Sequence, residues 1–392
     1  MTWPVHVLHE KKKVQKINWK TWGVVFFLMS LFYGLCYYSL NAFYLELKIK
    51  ILSLLNPLCV FSFFVFFAAF FLRIYFYGML LSNYDAYQEE SKYLMKKWTS
   101  WANEKLYVID HKLFTPQHVD IFAMVDDKPI NIHAGQSLSF DNVADRTGIE
   151  EYFYSELLFS VRERIKSLED NHSFEVVFVK PQNNLSYSVF KACWLSTGFV
   201  EHKLMGYQFM NGHYADTVNT FLDNVTHNVI HIVVCVELSE SSESNEYSEF
   251  ASIFLLSTSG AERAGVIYRP LSATAEEINN ELNKMMTYQP GIYSSNHAWL
   301  SGMSINEQVM VGESLRNIAS RQQKNWECPA QDINMALGNL GHHHSWLSLA
   351  FALDATSGQK APQLMISKDG CMYCFNRVER YSTEDGEEKG RA

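Results

Sequence analysis

Residues 21–45 contain no charged side chain, and within them 23–44 read as Val, Phe, Leu, Met and Tyr with a few small residues. A hydrocarbon core of about 30 Å takes about 20 helical residues, so this run predicts a first membrane span. A second run, 51–84, holds one charge, Arg73, and is densest at 58–72 in Phe, Val, Ala and Leu. Asn56-Pro57 reads as the start of the second helix, because proline at the first helical position gives up a donor that has no partner there. Trp22, Phe26, Phe27, Phe63 and Phe64 are expected to anchor the chain in lipid, with Arg73 reaching the interface along its aliphatic stem. A cleaved signal is a poor fit: the first run is too long, lacks a small-residue cleavage site and is followed closely by a second span.

Beyond residue 84 the pattern changes to helical spacing and short apolar runs. Residues 91–113 carry Trp98, Trp101, Leu106 and Val108, which suits an amphipathic connector, while the tryptophans suit an interfacial anchor equally. A strand is expected at 119–125 (VDIFAMV), a helix over 150–168 after Thr147-Gly148, and a strand at 174–179. A helix over 215–225 leads to 229–236 (VIHIVVCV), the clearest buried strand. After an acidic loop, 239–248, come strands at 249–257 and 265–268. Thr274-Ala275-Glu276-Glu277 has the form of a capping box opening a helix to Met286. Helices over 306–322 and 343–355 precede a hairpin of 363–367 and 371–376 around Lys368-Asp369-Gly370. Strand and helix alternate in two similar series, which predicts an α/β layered domain with an internal duplication. The chain divides into a basic tail (1–20), two transmembrane helices (21–84), a connector (85–115) and the α/β domain (116–392).

Charge sharpens this division. The 392 residues carry 33 Lys+Arg against 42 Asp+Glu, a net charge of −9, which excludes a basic nucleic-acid binder. Seven lysines against Glu10 and Glu46 give the first fifty residues +5, so the remainder carries −14. Lys11, Lys12, Lys13, Lys16 and Lys20 precede the first span, and Arg73, Lys92, Lys96 and Lys97 follow the dense part of the second; only Lys48 and Lys50 lie between. The positive-inside tendency then puts both termini in the cytoplasm and the 46–56 connection outside. Seven cysteines, an odd number, fit a reducing compartment. Cys371 and Cys374 form the one C-x-x-C, without a second pair, and read as a turn and a strand position rather than a zinc site. There is no phosphate-binding glycine loop, no H-E-x-x-H and no G-x-S-x-G, and neither cofactor nor metal is expected; His342, His343 and His344 would need ligands from elsewhere.

The stretch Gly338-Asn339-Leu340-Gly341-His342-His343-His344-Ser345, followed by a small-residue helix and the hairpin, resembles the end of a thiolase-fold protein such as a β-ketoacyl synthase. The run 229–237 with 247–257 resembles the core strands closing that fold's first half. His297-Ala298-Trp299-Leu300-Ser301-Gly302 resembles the loop that carries the first catalytic histidine. The resemblance covers roughly residues 119–378. It implies a thiolase-like fold in which a cysteine at the start of a buried helix is the nucleophile and two histidines assist. Here the corresponding turn reads Met210-Asn211-Gly212-His213-Tyr214, without cysteine, and Asn339 stands where the second histidine is expected. His297 and Asn339 are the candidate remnants of the catalytic set.

A two-span basic anchor, a Trp-rich connector and a degenerate synthase-like domain also resemble the accessory proteins of bacterial type VI secretion, of the kind that serve lipase effectors as adaptors. That resemblance implies an inner-membrane protein whose partners are the lipid bilayer and a protein cargo or secretion component, with a homodimer through the sheet edge. The alternative is an acyl-transfer enzyme using acyl thioesters at the membrane, with Cys193 or Ser345 as nucleophile beside His297 and Asn339.

Overall fold

The computed structural model describes residues 3–5, 8, 11–40, 45–126, 128–140, 148–180, 183–210, 212–226, 228–239, 246–259 and 264–381. Thr147, Asn211 and residues 240–245 of the acidic loop lie outside them. The chain forms two compact units: Leu8–Lys97, and the N-terminal residues to Val7 together with the chain from Trp98 onward.

The first of these is a helical hairpin. Helix α1 (Trp19–Ser39) starts at Asn18, whose side chain accepts from Thr21 N, and its 21 residues reach about 31 Å. Helix α2 (Leu45–Ala102) has 58 residues, and both helices are long and apolar enough to cross a membrane. Contacts run in opposite order along the pair: Trp22 meets Phe66 and Phe70, Phe26 meets Phe63, and Tyr33 Oη lies 2.7 Å from Ser62 Oγ. Phe27 and Phe64 are 64% and 70% exposed, the surface that a bilayer would cover. Arg73, also exposed, falls three residues beyond Phe70, the partner of Trp19 at the start of α1. Pro57 lies inside α2, and the expected 46–56 connection is helical. Proline in a helix interior removes one hydrogen bond, and the helix continues through it here.

In the other unit, the first half runs β1 (Lys105–Phe114), α3 (Ile121–Val125), α4 (Ile149–Ser160), α5 (Arg162–Glu169), β2 (Ser173–Phe178), α6 (Asn184–Ser196), β3 (Leu204–Phe209), α7 (Tyr214–Asp223), β4 (Val229–Glu237) and β5 (Phe250–Ser257). The second half runs β6 (Gly265–Tyr268), β7 (Leu271–Thr274), α8 (Ile278–Tyr288), β8 (His297–Ser301), α9 (Ile305–Arg321), β9 (Ala330–Asp332), α10 (Ile333–Leu337), α11 (His344–Gln359), β10 (Gln363–Asp369) and β11 (Met372–Arg380). In the first, β3 and β4 flank β2 in parallel, β5 is antiparallel to β4, and β1 to β5. The second repeats this with β9 and β10 flanking β8, β11 antiparallel to β10, and β6 and β7 antiparallel to β11. Pairing of β1 with β6 joins the halves. The second half therefore repeats the strand order of the first, with β6 and β7 together in the place of β1, as the duplication read from the sequence predicts.

Alternation along the strands distributes the core into layers. On β4, Ile230, Ile232 and Val234 face α4, α5 and α6, while Val233 and Cys235 face α7 and α11. On β10, Leu364 and Ile366 face α8 and α9, while Met365 faces α11. Helices α7 and α11 are thus packed between the inner faces of the two half-sheets. The N-terminal segment joins the α8–α9 side: Trp3 and Val5 are buried with Ala102, Leu282 and Met285. Trp3 Nε1 donates to Pro270 O at 2.9 Å, and its ring meets Trp101 edge-on at 5.5 Å. Buried Arg269 lies over Trp101 and pairs with Glu104 and Asp223.

Several expected elements differ. Residues 121–125 form α3 rather than a strand, because Asp120 caps the segment by accepting from Ala123 N at 3.0 Å. The helix expected over 150–168 is divided at Val161 into α4 and α5. The 85–115 segment is shared between the end of α2 and β1, whose KLYVIDHKLF sequence pairs on both edges. Within the basic 1–20 tail, Trp3 and Val5 are part of the α/β core.

Candidate functional site

The carboxyl ends of parallel strands are where such sheets offer a crevice, and helix N-termini bring partial positive charge there. The first turn of α7, the first turn of α11 and the end of β10 meet at this place. His213 precedes α7, and its Nδ1 lies 2.8 Å from Asp369 Oδ2, the last residue of β10. Tyr214 is buried against Trp346, with ring centroids 5.0 Å apart.

The turn before α11 is held by Glu237, at the end of β4. Its two carboxylate oxygens accept from His342 N at 2.7 Å and His343 N at 3.2 Å. Burial raises the Glu237 carboxyl from its ordinary value, against the stabilising effect of those amides. A side chain at position 341 would collide with this carboxylate, so glycine there permits the approach. The two amides of the turn just before α11 are therefore occupied by the protein's own acid. A cavity of about 350 Å³ opens beside it, between Lys180, Tyr247, His342 and His343.

His344 is buried, with Nε2 3.0 Å from Lys368 O and Nδ1 2.9 Å from Ser301 Oγ. A carbonyl only accepts, so Nε2 carries the hydrogen and Nδ1 accepts from the serine. Burial pushes the ring down to about 4, so it is neutral at pH 7. Ser348 Oγ lies 2.7 Å from Ser301 Oγ, and Ser345 Oγ donates to Ser367 Oγ at 2.8 Å. Both nitrogens of His344 are committed, which makes it a fixed structural histidine.

The two expected remnants do not come together. His297 begins β8, and its Nδ1 lies 3.1 Å from Gln359 Oε1 at the far end of α11. Ser301, at the crevice, is four residues on, about 13 Å along the strand. Asn339 is exposed; its backbone is fixed by Gln136 O and Ser248 N, at 2.7 and 2.6 Å. Chain order made His297 a natural choice, but strand direction puts it at the wrong end.

Neither nucleophile considered from the sequence is activated. Cys193 lies on α6 among the outer-layer residues, where Ser155 Oγ donates to its Sγ at 3.3 Å and burial raises the thiol. Ser345 is buried and bonded to Ser367. Cys374 of β11 does come beside the first turn of α7, packed in the same cluster as Tyr214, but burial pushes its thiol up to about 12. Cys371 is exposed in the turn before it, as expected. Among the described residues no three His, Cys, Asp or Glu side chains are grouped to hold a metal.

The fold is thiolase-like. The oxazolomycin ketosynthase domain from Streptomyces albus JA3453 matches with a TM-score of 0.50 at 9% identity, over 71% of this chain and 96% of that one. The 3-oxoacyl-acyl-carrier-protein synthase III from Aquifex aeolicus VF5 has a TM-score of 0.44 at 12% identity, over 70% and 100%. No family model matches the sequence, and no curated protein matches it.

Proposed function

We propose that this chain is a membrane-anchored thiolase-fold protein that works by binding rather than by condensing acyl groups. In this reading it is an adaptor that holds a cargo protein at the bacterial inner membrane, in the type VI secretion setting its layout resembles. The observation that carries the non-catalytic part is the opening of α7, where His213 is engaged with Asp369 and the nearby Cys374 thiol is held neutral by burial. A nucleophilic cysteine needs the opposite, a thiol whose ionisation the site favours.

Connectivity supports the membrane topology. Trp3 and Val5, before α1, and the chain after α2 build one hydrophobic cluster, so a hairpin that crosses twice returns to the side it left. The lysine clusters on both flanks favour the cytoplasm for that side.

Affinity capture of the tagged full-length chain from its native cells, after cross-linking, tests the adaptor reading. It is supported by recovery of a secreted effector or a secretion-machine component, and is lost if neither is enriched over a control membrane protein. A second reading, acyl transfer, has one observation in its favour: Cys374 sits next to the Ser367–Ser345 pair at the crevice. In that reaction an acyl thioester would pass its acyl group to Sγ or Oγ and release the thiol.

A further inference from the structure

On the outer face of the second half-sheet, α9 and the segment after it enclose a groove of about 560 Å³. This volume falls within the roughly 300–1,000 Å³ of small-molecule sites. Buried Leu300, Leu315 and Trp326 line it together with exposed Ile305, Val309 and Pro329. The groove is separate from the crevice: Leu300 packs with the α8–α9 layer, whereas the next residue, Ser301, hydrogen-bonds His344 on the other face.

Three features of α9 are not required by the fold. The helix already buries Val311, Leu315 and Ile318, so its remaining surface should be polar. Instead Ile305 and Val309 are 78% and 52% exposed, and they continue through Gly312 along the same side of the helix. Gly312 sits in mid-helix, where glycine costs about 1 kcal/mol relative to alanine. A Cβ there would meet nothing within 4 Å, so packing does not demand the glycine; its lack of a side chain keeps the groove open. At the end of this stripe stands Arg316, whose Nε donates to Gly312 O at 3.3 Å and which pairs with no carboxylate among the described residues. Glu327, the one acid lining the groove, is exposed and does not reach it.

We infer that this groove binds a single-chain amphiphile with an anionic head, a long-chain carboxylate whose alkyl chain lies along Ile305, Val309 and Gly312 and whose head meets Arg316. Apolar walls favour the chain in proportion to the area removed from water, and the guanidinium supplies a two-pronged donor for the carboxylate. The other polar lining residue, Gln308, is already engaged with Asp332 Oδ2 at 2.7 Å and leaves the recognition to Arg316. The site stands whether or not the crevice on the other face is catalytic.

The test uses the full chain in nanodiscs of zwitterionic lipid and two diazirine probes, a C16 carboxylic acid and the corresponding alcohol, with cross-links mapped by mass spectrometry. The acid is expected to label peptides covering 300–316 and 326–330. Gly312→Leu fills the groove with a good helix former and is expected to remove that label without lowering the melting temperature. Arg316→Gln is expected to lower acid labelling roughly tenfold, the loss typical of one charge-assisted contact, and to leave alcohol labelling unchanged. Labels confined to α1 and α2, or groove labelling unaffected by Gly312→Leu, would overturn the site. Equal labelling by acid and alcohol, insensitive to Arg316→Gln, would overturn the anionic head.

Discussion

Replacing Trp3 by alanine removes an indole that is 3% exposed, donates to Pro270 O and meets Trp101 edge-on. Lys284 Nζ, paired with Glu281, also reaches Trp3 O at 3.4 Å. An aromatic ring of this kind buries about 150–250 Å², worth about 4–6 kcal/mol at 25 cal/mol per Å². Holding the three residues 3–5 in place costs about 3–6 kcal/mol of backbone entropy. The segment is thus held by a small difference, and its loss is expected to destabilise the neighbouring elements locally by about 1–2 kcal/mol rather than unfold the domain. Hydrogen exchange on the full chain in nanodiscs reads this directly. Trp3→Ala should speed exchange several-fold in α8 and at residues 98–102, and leave α7 and α11 as in the wild type. Trp3→Phe should fall between, having kept the ring and lost the hydrogen bond. If α8 and residues 98–102 exchange as in the wild type, Trp3 does not hold the N-terminal segment in the core.

Glu307 receives Lys368 Nζ at 2.7 Å, Ser304 N at 2.9 Å and Tyr373 Oη at 3.0 Å; burial opposes its charge, but these partners win and bring its carboxyl down to about 2. Its ionised form therefore stabilises the fold at neutral pH, and that contribution is lost as pH falls from about 4.5 toward about 2. With 26% of the side chain in water, screening limits it to about 1–2 kcal/mol. Chemical denaturation should find Glu307→Gln destabilised by that amount at pH 7, with the gap closing across the acid window. At Gly302, φ is +69° and a Cβ would lie 2.5 Å from Lys368 O and 2.6 Å from the His344 ring. Gly302→Ala should cost about 2–4 kcal/mol by the same assay, from left-handed strain plus overpacking.

The two long apolar helices were legible because a charge-free run longer than 20 residues is long and apolar enough to cross a membrane. The strand at 229–237 and the hairpin after Gln363 were equally plain, as apolar runs of strand length bounded by turns. Short runs without a decisive period were not. VDIFAMV suits a strand by composition, and only the cap at Asp120 turns it into α3. β1 follows α2 after only two residues, so the helical reading ran through it. β8 is five residues long, too short to show a strand period in the sequence. The candidate residues are hard to place from sequence for a related reason: sequence order ranks His297 and Asn339 as neighbours of the crevice, whereas strand direction puts His297 at the opposite end of β8, beside Gln359. Glu237 and its contacts with His342 and His343, about 105 residues away, have no local signature at all.

Incubating the detergent-purified full chain with long- and short-chain acyl thioesters and measuring its intact mass tests the central claim most directly. A binding protein whose crevice holds no ionised thiol should gain no acyl mass at pH 7–8, with Cys374→Ser and Ser345→Ala behaving as wild type. A stoichiometric acyl adduct that maps to Cys374 or Ser345 and disappears in the matching variant would contradict it and make the crevice an acyl-transfer site.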